Sequence, residues 1–165
     1  MKLLNASQIR QKIRRLAIEI LENNYEEEEI ILAGINNKGY EFAHLIQEEI
    51  LSSGYPLKPI VCRLLLNPAV PDQSPATLSI PLSNLAGKAV VVIDDVANTG
   101  RTLFYSFQPL MGILPKKVEV AVLVDRKHKL FPVKVDYKGM TLATTLKDHI
   151  DVRIINVKEK EVHLV

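Results

Sequence analysis

The 165-residue sequence has no tryptophan, a single cysteine and only 5% aromatic residues, and its charges nearly cancel at a formal +2. One cysteine, Cys62, excludes an intramolecular disulfide and fits a reducing, cytoplasmic setting. It follows Ile60-Val61 and reads as a buried small hydrophobe, not as a nucleophile. The histidines (His44, His128, His149, His163) are scattered, with no Cys or His at ligand spacing, so no structural zinc site is expected. So small a net charge gives no bulk reason to bind nucleic acid. No apolar run approaches the roughly 18 residues that a membrane-spanning helix needs. Met1-Lys2-Leu3-Leu4 passes directly into Asn5 without the apolar stretch of a signal peptide, so no membrane association is expected. Two phosphate-binding signatures are also missing, Gly-x-x-x-x-Gly-Lys-Ser/Thr and Gly-x-Gly-x-x-Gly. Their absence removes the P-loop and dinucleotide classes.

What the sequence does have is alternation. Ile9, Ile13, Leu16, Ala17, Ile20 and Leu21 recur at helical spacing and predict a helix over residues 7–24, with Asn5 or Ser7 as its cap. The apolar run at 30–35 predicts a strand buried on both faces, ending in the polar turn Asn36-Asn37-Lys38-Gly39. A second amphipathic helix follows, then a strand at 59–66. Prolines 68, 71, 75 and 81 mark a long loop at 67–81 of the kind that is usually functional. Residues 89–93 form the clearest strand, followed by a helix over 100–111 and a further strand at 118–124. Weaker strands are expected at 133–137, 150–157 and 162–165. There is no internal repeat or composition break, so a single domain over 1–165 is expected. The pattern is that of an α/β fold with a mostly parallel central sheet flanked by helices.

In such sheets ligands gather beyond the carboxyl ends of the strands. Three segments meet that description: 36–39, 94–102 and 125–129. The second carries the most chemistry. Asp94 and Asp95 close a strand, and Ala97-Asn98-Thr99-Gly100-Arg101-Thr102 follows at a helix start. Gly100 permits close backbone approach, while unpaired N–H groups and the hydroxyls of Thr99 and Thr102 suit a phosphate monoester. Carboxylates beside a phosphate repel it unless the ligand carries a diol between its charges. A ribose 5-phosphate satisfies both halves, its hydroxyls donating to the carboxylates.

Val91 to Thr102 resembles the phosphoribosyl pyrophosphate (PRPP) motif of type I phosphoribosyltransferases. More narrowly, the chain is similar to the pyrimidine operon attenuator and uracil phosphoribosyltransferase family. The likeness runs from the first helix through Ala33-Gly34-Ile35 and Lys38-Gly39, and resumes at 121–128 and 136–139. It implies the type I phosphoribosyltransferase fold with a mobile flap over 67–81 and a small hood. It implies that Asp94 and Asp95 hold the ribose hydroxyls and, indirectly, a PRPP-bound Mg2+, and that Ala97 to Thr102 wrap the 5-phosphate. Asn36, Asn37, Lys38 and Gly39 would form the pyrophosphate loop, with Lys38 or Arg126 neutralising the leaving group. Asp136 and Tyr137 would cover the base. The implied partners are PRPP and a nucleobase, with self-association as a dimer or tetramer.

Three departures from the family pattern bear on function. Asn98 stands where members acting on 6-oxopurines usually carry an acid, which moves the expected base to a pyrimidine, uracil. Asn36-Asn37 replaces a common Lys-Thr, and Leu64-Leu65-Leu66-Asn67 replaces Tyr-Arg-Asp-Asp. The alternative is a nucleotide-sensing RNA-binding regulator, for which Arg10, Arg14 and Arg15 on the first helix are the phosphate contacts. Near-balanced charge disfavours it.

Overall fold

The computed structural model describes residues 1–143 and 147–165. A short strand β1 (Lys2–Leu4) leads into helix α1 (Ala6–Asn23). Asn5 caps α1 reciprocally with Gln8: the Gln8 N–H donates to Asn5 Oδ1 at 2.9 Å, and the Asn5 N–H to Gln8 Oε1 at 3.0 Å. Of the two caps the sequence allows, Asn5 is therefore the one used. Strand β2 (Glu29–Ile35), helix α2 (Asn36–Ser52) and strand β3 (Lys58–Leu65) come next. They are followed by the two-residue β4 (Thr77–Leu78), β5 (Ala89–Ala97), helix α3 (Arg101–Ser106), β6 (Lys117–Arg126) and β7 (Tyr137–Leu142). Strands β8 (Ile150–Arg153) and β9 (Glu161–Leu164) follow.

The main sheet has the order β4-β3-β2-β5-β6-β7, with every pairing parallel except β4 on β3. The continuous apolar runs of β2, β5 and β6 are explained by burial on both faces. One face carries Ile30, Leu32, Val91 and Ile93 against Ile13, Leu16 and Phe42 of the two long helices. The other packs Ile31, Val90, Val92 and Val122 against Leu103 and Leu110. A second, three-stranded sheet in the order β1-β9-β8 joins the two ends of the chain and stands over one end of the main sheet as a hood.

Several boundaries differ from the sequence expectation. The helix expected over 100–111 stops at Ser106 and resumes as a 3-10 turn over Gln108–Gly112. Pro109, which lacks an N–H, is the reason. The strand expected at 133–137 is β7 instead, sharing only Tyr137. Its register against β6 depends on Gly139, where a β-carbon would lie 2.5 Å from the Leu123 carbonyl oxygen. The turn expected at Asn36–Gly39 is the first turn of α2 itself.

Candidate active site

The carboxyl ends of β2 and β5 lie side by side, because Gly34 and Ile93 are partners in register. This alone brings Asn36-Asn37-Lys38 next to Asp94-Asp95. The separation is kept small by Gly39, which lets α2 pass close over β5. Together they line a cleft of about 340 Å³ with Ile35, Pro68, Val96, Asn98, Thr102, His149 and Ile150. Asn36 adopts φ 51°, the left-handed region that asparagine tolerates better than most residues. Its side chain fixes the entry to the long loop, since Oδ1 accepts the Leu66 N–H at 3.1 Å.

Asp94 is buried at 8% exposure, and its Oδ1 accepts the Asp95 N–H at 2.9 Å. Burial, and then the neighbouring Asp95 carboxylate, push its carboxyl well above the usual range. A buried carboxylate next to another carboxylate is an arrangement that hydroxyl donors or a cation relieve. Lys38 is the cation at hand: its Nζ lies 3.9 Å from Asp95 Oδ2 and 3.8 Å from Asp151 Oδ1 on β8.

Beside the cleft, residues 96–103 curl around a smaller hollow of about 40 Å³. Gly100 turns the chain there at φ 85°, a conformation that β-carbon-bearing residues rarely adopt. The loop is braced from outside, where both Leu130 and Phe131 donate their N–H groups to the Thr99 carbonyl at 2.9 and 3.1 Å. The Arg101 guanidinium donates to the Pro68 carbonyl at 2.7 Å, tying the long loop to this one. Asn36, Asn37, Lys38, Asp94, Asp95, Asn98 and Thr102 thus line one cleft, and Ala97, Thr99, Gly100 and Arg101 line the adjoining hollow. Gly39 contributes closeness and not a side chain.

Two expectations need correction. Asp136 and Tyr137 do not reach the site, because they lie at the amino end of β7. Tyr137 pairs with Ala121, five residues before Arg126 at the carboxyl end of β6 and so about 16 Å from it. Asp136 Oδ2 accepts the Val120 N–H at 2.8 Å, and the buried Tyr137 hydroxyl donates to Glu119 Oε2 at 2.8 Å. Both are structural ties. Arg126 is the second: expected beside pyrophosphate, it is 5% exposed and leaves a strand separated from β2 by β5. Its guanidinium donates to Asn98 Oδ1 at 3.3 Å and to the Asp148 carbonyl at 2.7 Å. It braces the loop at 97–102 against the segment that leads into β8.

Residues 148–151 are what sequence reasoning missed. His149 and Ile150 form the cleft wall facing the β5 carboxylates, and Asp151 contacts Lys38. The only local signal was the weak alternation of 150–157, which says nothing about where the strand docks. The His149 position is held by reciprocal backbone hydrogen bonds with Val165, at 2.9 and 2.8 Å.

A cleft at the carboxyl edge of a parallel sheet, with paired carboxylates on one strand and an anion-shaped loop following it, matches what sequence comparison finds. The family model of the phosphoribosyl transferase domain matches residues 2–162. The chain belongs to this family. Among curated relatives, Bifunctional protein PyrR of Streptococcus pneumoniae is 32% identical over 155 residues, covering 93% of this chain and 89% of the relative. Bifunctional protein PyrR of Streptococcus mutans is 29% identical over 157 residues, covering 93% and 88%. This phosphoribosyltransferase is thus of PyrR type. Its fold is also that of a hypoxanthine-guanine phosphoribosyltransferase from Bacillus anthracis, with a TM-score of 0.71 at 20% identity, covering 86% of this chain and 81% of that one.

Among the described residues, no helix is long and apolar enough to cross a membrane. Nor do they contain any group of three or more His, Cys, Asp or Glu able to hold a metal ion. The cleft offers two adjacent carboxylates, Asp94 and Asp95, hard oxygen donors of the kind that fit magnesium shared with a ligand's own oxygens.

Proposed function

We propose that the protein is a single phosphoribosyltransferase domain over residues 1–165. It transfers ribose 5-phosphate from PRPP to uracil, giving the nucleoside monophosphate and pyrophosphate. The observation that carries this reading is the shared cleft, in which a carboxylate pair stands between two sites suited to anions. Asp94 and Asp95 accept the ribose hydroxyls, the loop at 97–102 receives the 5-phosphate, and Asn36 to Gly39 with Lys38 receive the pyrophosphate. Magnesium bound with PRPP supplies positive charge to the leaving group, and Asp94 and Asp95 are the residues beside which it would sit.

The C1–N bond to the base forms as the C1–O bond to pyrophosphate breaks, through a transition state with oxocarbenium character, and the proton of the attacking ring nitrogen passes to the departing pyrophosphate or to solvent. The protein's part is to align the two ligands and stabilise the departing charge. His149 and Ile150 wall the space left for the base. The Pro68 end of the long loop stands at the cleft mouth, where closure would exclude water and favour transfer over hydrolysis. Uracil is favoured by Asn98, an amide that cannot take a proton as the acid of purine enzymes does. Likeness to PyrR supports the same choice.

The buried lone cysteine supports a cytoplasmic setting. Self-association as a dimer or tetramer belongs to the reading, with exposed Met111, Leu114 and Leu130 as apolar surface available for it. RNA binding through α1 is not favoured, since the Arg15 guanidinium donates to the Gly139 carbonyl at 2.9 Å. The test is pyrophosphate release from PRPP and magnesium with uracil, hypoxanthine, guanine, xanthine and orotate in turn. Fastest release with uracil is expected. No release with any base overturns the enzyme reading, and faster release with a purine overturns the choice of uracil.

A further inference from the structure

Lys38 stands in an unusual place for a lysine meant to meet an anion. Its ammonium lies between two carboxylates that come from different sheets, Asp95 on β5 and Asp151 on β8. The distances of 3.9 and 3.8 Å are both beyond hydrogen-bond reach. No described hydrogen bond uses its three N–H donors. Two carboxylates at this range confine the ammonium by charge while leaving its donors available. A lysine otherwise has a large rotamer entropy to lose when it grips a ligand.

Asp151 is itself held firmly. Its Oδ2 accepts from Arg153 Nε at 2.7 Å, and the backbone of β8 is in register with β9, Asp151 opposite His163. The carboxylate is kept ionised, with a pKa lowered first by the Arg153 hydrogen bond. Asp95, for its part, sits on the strand that ends in the phosphate loop. The ammonium is thus drawn by charge toward the main sheet and the hood at once.

We propose that Asp151 is a positioning residue for pyrophosphate binding: from the hood it holds the Lys38 ammonium over the cleft, so that its N–H donors meet the ligand without a search. This rests on reading the cleft as a PRPP site. The opposing effect of the same carboxylate is repulsion of the incoming anion. The two differ in their dependence on Lys38, since positioning requires the lysine and repulsion does not.

Isothermal titration of the full chain with pyrophosphate and magnesium separates them, using Asp151→Asn, Lys38→Met and the double variant. Asp151→Asn should weaken binding about two- to fivefold, the size expected of a partly exposed ion pair. In the Lys38→Met background it should produce no weakening. Asp151→Glu, which keeps the charge, should stay within about twofold of wild type, and Asp151→Asn should raise KM for PRPP while kcat holds. Thermal melts confirm that each variant is folded. Unchanged or tighter binding by Asp151→Asn, or equal weakening with and without Lys38, overturns the proposal while leaving the PRPP reading intact. No pyrophosphate binding by the wild type overturns the PRPP reading, and the proposal with it.

Discussion

Gly39 lies where α2 crosses the carboxyl end of β5. A β-carbon there would sit 2.5 Å from the Ile93 carbonyl oxygen and 3.4 Å from Asp94 Cα. The atoms in the way are backbone, so Gly39→Ala cannot be relieved by turning a side chain. The helix must lift from the strand, carrying Asn36-Asn37-Lys38 away from Asp94-Asp95. Overpacking of this kind costs about 1–3 kcal/mol, which for a chain of this size lowers Tm by roughly 3–10 °C. The catalytic cost should be larger, because a displacement of about 1 Å between reacting groups lowers rate by about a hundredfold. Gly54→Ala is the matched control. Gly54 has φ 73° and nothing within 4 Å of its would-be β-carbon. It should lose about 1–2 kcal/mol through backbone strain alone and keep its kcat/KM for PRPP. Calorimetry and steady-state pyrophosphate release measure both. Gly39→Ala with kcat/KM within twofold of wild type, or Gly54→Ala with an equal catalytic loss, refutes the reasoning.

Asp94→Asn should stabilise the ligand-free protein at pH 7 while lowering PRPP affinity at least about tenfold, the stability–function conflict common at binding sites. The sign follows from the raised carboxyl pKa: Asp94 favours the folded state below its unfolded pKa and loses that contribution as pH rises through the folded value. The gain in Tm should therefore vanish near pH 3, and a lower Tm for the variant at pH 7 would contradict it. Arg101→Ala removes the tie to Pro68 and should make the 67–76 segment about two- to tenfold more readily cleaved by a protease, as expected for one lost hydrogen bond. Equal cleavage rates would show that the tie does not hold the loop. Burial pushes the Cys62 thiol up to about 11, so at pH 8 it should resist an aromatic disulfide reagent until the chain is unfolded in denaturant. Prompt stoichiometric labelling of the native protein would show that it is exposed.

How much of this could be read in advance depended on how local the cause was. The cores of β2, β5 and β6 declared themselves as unbroken apolar runs, and α1 as a 3.6-residue stripe, because burial acts on each segment's own residues. The candidate site at 94–102 was legible because its chemistry is contiguous: Asp94, Asp95, Gly100 and Thr102 lie within one strand-to-helix connection. That Asn36–Lys38 would join them followed from a general property of parallel sheets.

Non-local pairing was silent. Strand β1 is three residues long and exists because β9 pairs with it from the other end of the chain. Asp136 and Tyr137 were assigned to the site by the family resemblance alone. Which end of β7 they occupy depended on the register set against β6 at Gly139. Arg126 carries the right charge, but the strand order sends it to Asn98 and Asp148. The sequence alone marked Asp94 to Thr102 as the candidate site for a sugar phosphate, since its residue types and spacing lie within one strand-to-helix connection. Tertiary structure alone decided what faces it. His149, Ile150 and Asp151 reach the cleft through a sheet built from both chain ends, and Lys38 stands between Asp95 and Asp151 only because two sheets meet there.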